Sequence, residues 1–208
     1  MNIYLHPNGV KKELKNDYIW EVYEYSYTFK WKTVSEITSE WTSLIWGVAV
    51  NSDWATWIGQ NNDLRIWKSI PSLDTAKKII ISWTVVANNP TQNAWQLTIS
   101  MGTWWGVGET GYQVYGSYFN WIKVMYGDGS TQYFWNKVGD AVSGSTYKPK
   151  TTIDLENKII TWELSWFSNS TLALTDTQIN HIRQFDKLVC YVASTWSTIS
   201  DVSITIEY

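Results

Sequence analysis

Residues 77–101 alternate with a period of two. Ile79, Ile81, Trp83 and Val85 interleave with Ile80, Ser82, Thr84 and Val86, and further on Trp95, Leu97, Ile99 and Met101 interleave with Gln96, Thr98 and Ser100. Successive side chains of a strand point to opposite faces, so each run presents one bulky apolar face and one smaller, more polar face. A helix needs apolar positions three and four apart, and neither run is built that way. Between them, Asn88-Asn89-Pro90-Thr91-Gln92-Asn93 can continue neither strand and reads as a loop. The pattern predicts half-buried antiparallel sheet, with these two strands as a central pair.

The same signal recurs along the chain. Over residues 18–31, Tyr23, Tyr25, Tyr27 and Phe29 share one face while Glu24, Ser26, Thr28 and Lys30 share the other. Glu21 falls on the aromatic face under strict alternation, which predicts a bulge near Val22 or a strand that starts after it. Further strands are expected at 2–5, 43–50, 64–68, 112–115, 120–126, 131–135, 171–174, 187–193 and 202–208. A hairpin is expected from 149–155 and 158–166, turning at Glu156-Asn157. Thr33 with Glu36, and Thr175 with Gln178, have the spacing of capping boxes and predict short helices to about residues 40 and 184. Parallel sheet would require crossover helices between strands, and the sequence has no room for them. The expected fold class is all-β: a two-sheet antiparallel jelly-roll sandwich with one or two short helices, in which a short N-terminal segment (1–17) precedes the sandwich domain (18–208). Tyr23, Tyr25, Tyr27, Phe29, Ile79, Ile81, Trp83, Trp95, Leu97, Ile99, Ile204 and Ile206 are expected to share one core.

A chain of 208 residues can bury a substantial core, and 44% hydrophobic with 17% charged residues is a globular balance. The net charge is −3, and the 16 Lys and Arg are scattered. Nucleic-acid binding needs them clustered, so no nucleic-acid partner is expected. The longest apolar run, 44–50, is far too short to span a bilayer, and no membrane insertion is expected. The start Met1-Asn2-Ile3-Tyr4-Leu5 has no basic or apolar signal region. Cys190 stands alone, so no internal disulfide forms, and a buried small hydrophobe is its plainest role.

The motifs mostly reduce to structure. Gly106-Val107-Gly108-Glu109-Thr110-Gly111 spells a dinucleotide fingerprint, but that motif works only where a helix N-terminus follows. Here Tyr112-Gln113-Val114-Tyr115 reads as strand. Asp128, in Gly127-Asp128-Gly129, reads first as a hairpin turn; the other readings are a contact to a sugar hydroxyl or to a metal, and the spacing lacks the ligand series of a calcium loop. His6 and His181 have no zinc-type spacing. The carboxylate pairs Glu21/Glu24 and Asp154/Glu156 read as solvated sheet charges rather than as a glycosidase pair. Asn169-Ser170-Thr171 is a glycosylation sequon that reads as a turn. No cofactor or metal is expected, and no catalytic residue is assigned. If a ligand surface exists, the candidates are Trp104, Trp105, Tyr112, Tyr115, Tyr118 and Asp128. They cluster in a glycine-rich stretch expected to form rim loops, where aromatic faces can stack on sugar rings. Core packing is the competing role for the aromatic residues.

The run Leu14-Lys15-Asn16-Asp17-Tyr18-Ile19, leading into Glu24-Tyr25-Ser26-Tyr27, resembles text found in phage virion and tail-associated proteins that carry concanavalin-like or laminin-G-like sandwiches. The Thr152-Ile153-Asp154-Leu155-Glu156-Asn157-Lys158 hairpin, the late helix and the closing Ile199-Ser200-Asp201-Val202 strand are similar to the same group. The resemblance implies a non-enzymatic virion protein of tail or adhesion type. It would be assembled in the host cytoplasm and act outside the cell, with other virion subunits (its own copies included) and cell-surface glycan as partners. A purely structural subunit pairing through its sheet edges is one alternative, and a glycoside hydrolase of concanavalin-like fold is another. Such hydrolases carry an alternating Glu-x-Asp-x-Glu strand, which this sequence lacks.

Tryptophan is the last anomaly. The chain has 16 Trp but only 5 Phe and 12 Gly. Trp20, Trp31, Trp41, Trp54, Trp135 and Trp166 stand near turns, caps or strand ends where glycine would be apt. Two explanations stay open: a real aromatic-rich surface, or UGA codons that the producing organism reads as glycine. The second predicts exposed positions or positive φ at these sites, with Trp83 and Trp95 buried.

Overall fold

The computed structural model describes residues 4–5, 10–15, 18–43, 48–50, 55–57, 63–87, 95–102, 111–113, 116–118, 121–127, 132–140, 142, 144–164, 167–193 and 197–208. In chain order the early strands are β1 (Tyr4–Leu5), β2 (Val10–Lys15), β3 (Tyr18–Thr28), β4 (Thr42–Ser43), β5 (Val48–Val50), β6 (Ala55–Trp57) and β7 (Asp63–Ser69). The middle ones are β8 (Lys78–Ala87), β9 (Trp95–Gly102), β10 (Gly111–Gln113), β11 (Gly116–Tyr118), β12 (Trp121–Gly127) and β13 (Gln132–Asp140). The chain closes with β14 (Ser145–Tyr147), β15 (Pro149–Asp154), β16 (Ile159–Leu164), β17 (Ser170–Ala173), β18 (Lys187–Ala193) and β19 (Ser197–Glu207). The helices are α1 (Val34–Glu40) and α2 (Asp176–Ile182).

Among the described residues the strands form two sheets. The first runs β1-β2-β3-β19-β8-β15-β16-β17, with β14 beside β8 and the β5–β6 hairpin attached to β19. The second runs β13-β12-β11-β9-β18-β7-β4, with β10 on β9. Neighbouring strands pair antiparallel, as the alternation requires. The jelly-roll sandwich is therefore the observed fold. Residues 4–5 and 10–15 lie in the first sheet, and Val10–Lys15 pairs along β3.

The central pair is a correction. β8 belongs to the first sheet and β9 to the second, so the two are not paired with each other. Alternation fixes which face of a strand is buried, but not which strand lies beside it. The bulge near Val22 is a second correction. The β2–β3 and β3–β19 registers run unbroken through Val22, and Glu21 is exposed although it is in phase with the aromatic face.

The apolar phases meet between the sheets. Phe29, Ile79, Ile81 and Ile206 are fully buried, with Tyr23, Trp83, Val202 and Ile204 nearly so, and Tyr25 and Tyr27 are half-buried against them. Each such aliphatic or aromatic side chain contributes about 1.5–3 kcal/mol by leaving water. Trp95, Leu97 and Ile99 lie in β9, and their side chains fall outside the described set. β15 and β16 alternate without fault, burying Ile153, Ile160 and Trp162. Both capping boxes form. The Thr33 and Thr175 hydroxyls accept from the backbone of Glu36 and Gln178, whose side chains accept in return from the cap N–H groups. Asn136 Nδ2 donates to Ser170 Oγ at 3.1 Å, tying β13 of one sheet to β17 of the other.

Trp41 departs from expectation. It follows α1 in extended conformation (φ −121°, ψ 137°), is 1% exposed, and packs on Tyr25, Tyr27 and Phe29 with ring centroids 5.8–6.0 Å away. Glycine is not wanted there, because the chain ends the helix by running straight into β4. Trp31 behaves in the opposite way: φ is +62° and the residue is 76% exposed. Trp20 and Trp135 lie within β3 and β13, while Trp54 and Trp166 are outside the described residues.

Candidate functional site

The face of the first sheet opposite the core is unusually small and hydroxylated at its centre. Cross-strand register aligns Ser26 of β3, Ser203 of β19, Ser82 of β8 and Lys150 of β15 in one row, which continues to Glu163 of β16. The next row aligns Thr28, Asp201 and Thr84. Neighbouring strands lie about 4.8 Å apart, so three short side chains in a row leave a trough about 10 Å across. The result is a groove of about 520 Å³ lined by the two rows as far as Lys150, with Lys148 and Pro149, and floored by the strand backbone at Tyr27, Trp83 and Val202. That volume lies within the range of about 300–1,000 Å³ usual for small-molecule sites.

A β-bulge shapes one end. The β19–β8 register pairs Ile199 with Val85 and Asp201 with Thr84, leaving Ser200 as the extra residue. Ser200 is fully buried, its carbonyl accepts from Phe29 N at 2.7 Å, and its hydroxyl donates to Asp201 Oδ2. Asp201 is thereby held on the groove side, where its carboxylate lies 3.8 Å from Lys30 Nζ. At the other end Lys150 Nζ donates to Glu163 at 3.0 and 3.3 Å. On the core side of the same sheet, burial, then the charges of Glu40 and Glu36, push the Tyr27 phenol above its ordinary pKa.

Chemically the groove offers hydroxyls that donate and accept, a carboxylate that only accepts, and ammonium groups that only donate. Such a set matches a polyhydroxylated ligand. Each of the two carboxylates has a lysine beside it, Lys30 for Asp201 and Lys150 for Glu163. Among the described residues no group of His, Cys, Asp and Glu could hold a metal ion.

The sequence-derived candidates lie elsewhere. Tyr112 sits in β10 opposite Met101, and Tyr118 sits in β11 opposite both Trp121 and Trp95, so both strands belong to the second sheet. Trp104, Trp105, Tyr115 and Asp128 fall outside the described residues. The glycine-rich fingerprint lies between β9 and β10, which pair with each other (Gly102 with Gly111), so a strand follows it where a nucleotide site needs a helix. Asp154 supports its hairpin. Partial burial alone would raise its pKa, but hydrogen bonds from the side chain and backbone of Asn157, the charge of Lys78 and the Glu156 N–H bring it below the ordinary value. His181 is half-buried on α2 with its ring 5.9 Å from Phe185. The groove residues Ser26, Thr28, Ser82, Thr84, Lys150, Asp201 and Ser203 were visible in the sequence only as polar halves of alternating runs. Nothing local marks them as neighbours.

No protein-family model and no curated protein matches the chain. Solved structures do. Peanut lectin is 10% identical with a TM-score of 0.61, covering 89% of this chain and 97% of the lectin. The CBM2 module of the evolved Dit of Lactobacillus casei BL23 phage J-1 is 10% identical with a TM-score of 0.61, over 90% of this chain and 97% of the module. A carbohydrate esterase from the Shiga toxin-encoding bacteriophage phi24B is 13% identical with a TM-score of 0.60, over 87% of this chain and 96% of that chain. At these identities the likeness is one of fold, and the fold is the lectin-like, concanavalin-like β-sandwich.

Proposed function

We propose that this protein is a non-enzymatic virion component of tail or adhesion type that binds glycan on a host surface. The observation that carries the reading is the hydroxyl-lined groove over β3, β19, β8 and β15, with Asp201 and Lys150 at its ends. The lectin and the phage carbohydrate-binding module among the structural neighbours support the ligand class, and the phage neighbours support the setting. A shallow groove of this kind binds weakly alone. Many copies on one particle, assembled in the host cytoplasm and presented outside it, raise avidity without any new contact.

The test is a glycan array probed with monomeric protein and with Ser82→Tyr, which fills the centre of the trough from a strand whose other face is unchanged. Wild-type protein should retain a defined set of glycans, and Ser82→Tyr should lose them while keeping its circular dichroism spectrum. Retention unaffected by Ser82→Tyr would move binding to the glycine-rich stretch of the sequence, where Trp104→Ala with Trp105→Ala is the corresponding variant. No retention of any glycan, together with self-assembly, would favour a purely structural subunit. Because one structural neighbour is a phage carbohydrate esterase, the retained glycans should also be checked for deacetylation or cleavage, and either would overturn the non-enzymatic reading. Peptides of this chain in purified virions would support the setting.

A further inference from the structure

Residue 31 occupies a glycine position. The turn 29–32 follows β3, with Lys32 N donating to Phe29 O at 3.4 Å, so residue 31 is the third of four turn residues. Its φ of +62° is what glycine supplies at that place in a tight turn. For a bulky side chain the same φ is a true outlier. Among the described residues only Lys158 is another non-glycine with positive φ. It closes the β15–β16 hairpin, and its ammonium is 2.7 Å from Asp176. Trp31 has no such compensation. It is 76% exposed, and its ring has no hydrogen-bond, aromatic or cationic partner among the described residues. Strained backbone persists at functional sites when its surroundings enforce it, and no described residue encloses this indole.

Other tryptophans provide the internal contrast. Trp41, Trp83 and Trp162 are 1–2% exposed. Trp41 has aromatic neighbours on several sides. A glycine at any of these would open a large cavity. The anomaly is therefore specific to position, while the excess of 16 Trp over 12 Gly and 5 Phe concerns the whole chain. UGA joins the two observations. It differs from the tryptophan codon UGG in one base, and different genetic codes read it as stop, as tryptophan or as glycine.

We propose that codon 31 is UGA and that the organism producing this protein inserts glycine there, whereas positions 41, 83 and 162 are tryptophan. With glycine at 31 the turn closes without strain.

Digestion of natively produced protein after glutamate releases the peptide 25–36, in which residue 31 is the sole tryptophan position. Its mass should be that of the glycine form, and the gene should carry UGA at codon 31 and UGG at codon 41. A tryptophan-containing peptide, or UGG at codon 31, overturns the proposal. A second arm uses recombinant protein decoded with Trp31. Trp31→Gly should raise the folded-to-unfolded ratio by roughly two- to fivefold, as relief of the left-handed φ is partly offset by the added chain entropy of glycine. Trp31→Ala keeps a Cβ at the same φ and should gain less. Equal gains from both variants, or no gain from glycine, would place the anomaly in the indole or nowhere and refute the turn argument.

Discussion

Trp41→Ala should be among the most damaging single changes in the chain, and its magnitude can be worked from the packing. The side chain is 1% exposed, and its ring meets Tyr25 at 6.0 Å, Tyr27 at 5.9 Å and Phe29 at 5.8 Å. Truncating a buried Trp to Ala costs about 3–5 kcal/mol, and edge-to-face geometry adds about 0.5–1.5 kcal/mol per aromatic pair beyond area alone. One effect opposes these. The indole Nε1–H is buried without a hydrogen-bond partner among the described residues, and removing a buried unsatisfied donor recovers about 1–3 kcal/mol. The net expectation is a loss of about 3–5 kcal/mol, a large share of the ~5–15 kcal/mol that holds a domain together. At roughly 2–4 °C per kcal/mol for this size, Tm should fall by about 10 °C. Trp41→Phe keeps a ring against Tyr27 and Phe29 and deletes the orphan donor, so it should lose less than half as much. Thermal melts by circular dichroism, with urea titrations to confirm an unchanged m-value, give both numbers. An Ala variant within about 1 kcal/mol of the parent, or a Phe variant as damaged as Ala, would refute this account of the cluster.

Thr175→Ala removes the hydroxyl that accepts from Gln178 N and should cost about 0.5–2 kcal/mol in urea titration. Gly139→Ala would drive a Cβ into the Phe167 ring and should destabilise by about 1–3 kcal/mol, with Phe167→Leu restoring most of the loss in a double-mutant cycle. Backbone and side-chain hydrogen bonds from Thr33, then the charge of Lys32, hold the Glu36 carboxyl below its ordinary pKa. The stabilisation from that capping box is complete above the ordinary glutamate range and is lost as pH falls through the lowered value; an NMR titration of Glu36 should move only part of the way back to normal in Thr33→Val, because the backbone N–H of residue 33 still donates to the carboxylate. Burial, then Tyr23 and Glu21, push the Tyr208 phenol up to about 12 from an ordinary 10.0. Its contribution is present below the ordinary value and is lost as pH rises through about 12, so Tyr208→Phe should flatten alkaline unfolding followed by tyrosinate absorbance.

What the sequence disclosed was local. The period-two phase of β3, β8 and β19 is enforced residue by residue through burial of Tyr23, Ile81 and Ile204, and each capping box closes within four residues. What it concealed depends on distant partners. The charged run Lys11-Lys12-Glu13 carries no strand signal, yet it pairs with β3 because that edge was open. β8 and β9 are adjacent in the chain and share a phase, but they separate because a sandwich needs both of its sheets filled. The bulge was expected at Val22, where a charge broke the phase. It formed at Ser200, where a small polar residue could be buried with its hydroxyl and carbonyl both engaged.

The groove follows from this division. Its floor and its lining come from one alternation, because a strand that sends Trp83 or Val202 inward must send Ser82, Thr84 and Ser203 outward. Each outward residue alone is an ordinary solvated hydroxyl. They become a trough only when β3, β19, β8 and β15, drawn from both ends and the middle of the chain, lie side by side in one register. Ser200 then supplies what alternation cannot. By adding one residue to β19 it lets 197–199 follow the upper part of β8 while Asp201 keeps its place between Thr28 and Thr84. Its carbonyl takes the N–H of Phe29, the first residue of the turn whose third position has the glycine-like φ, and its hydroxyl bonds to Asp201. The carboxylate of the groove and the conformation of that turn are therefore held by the same buried serine.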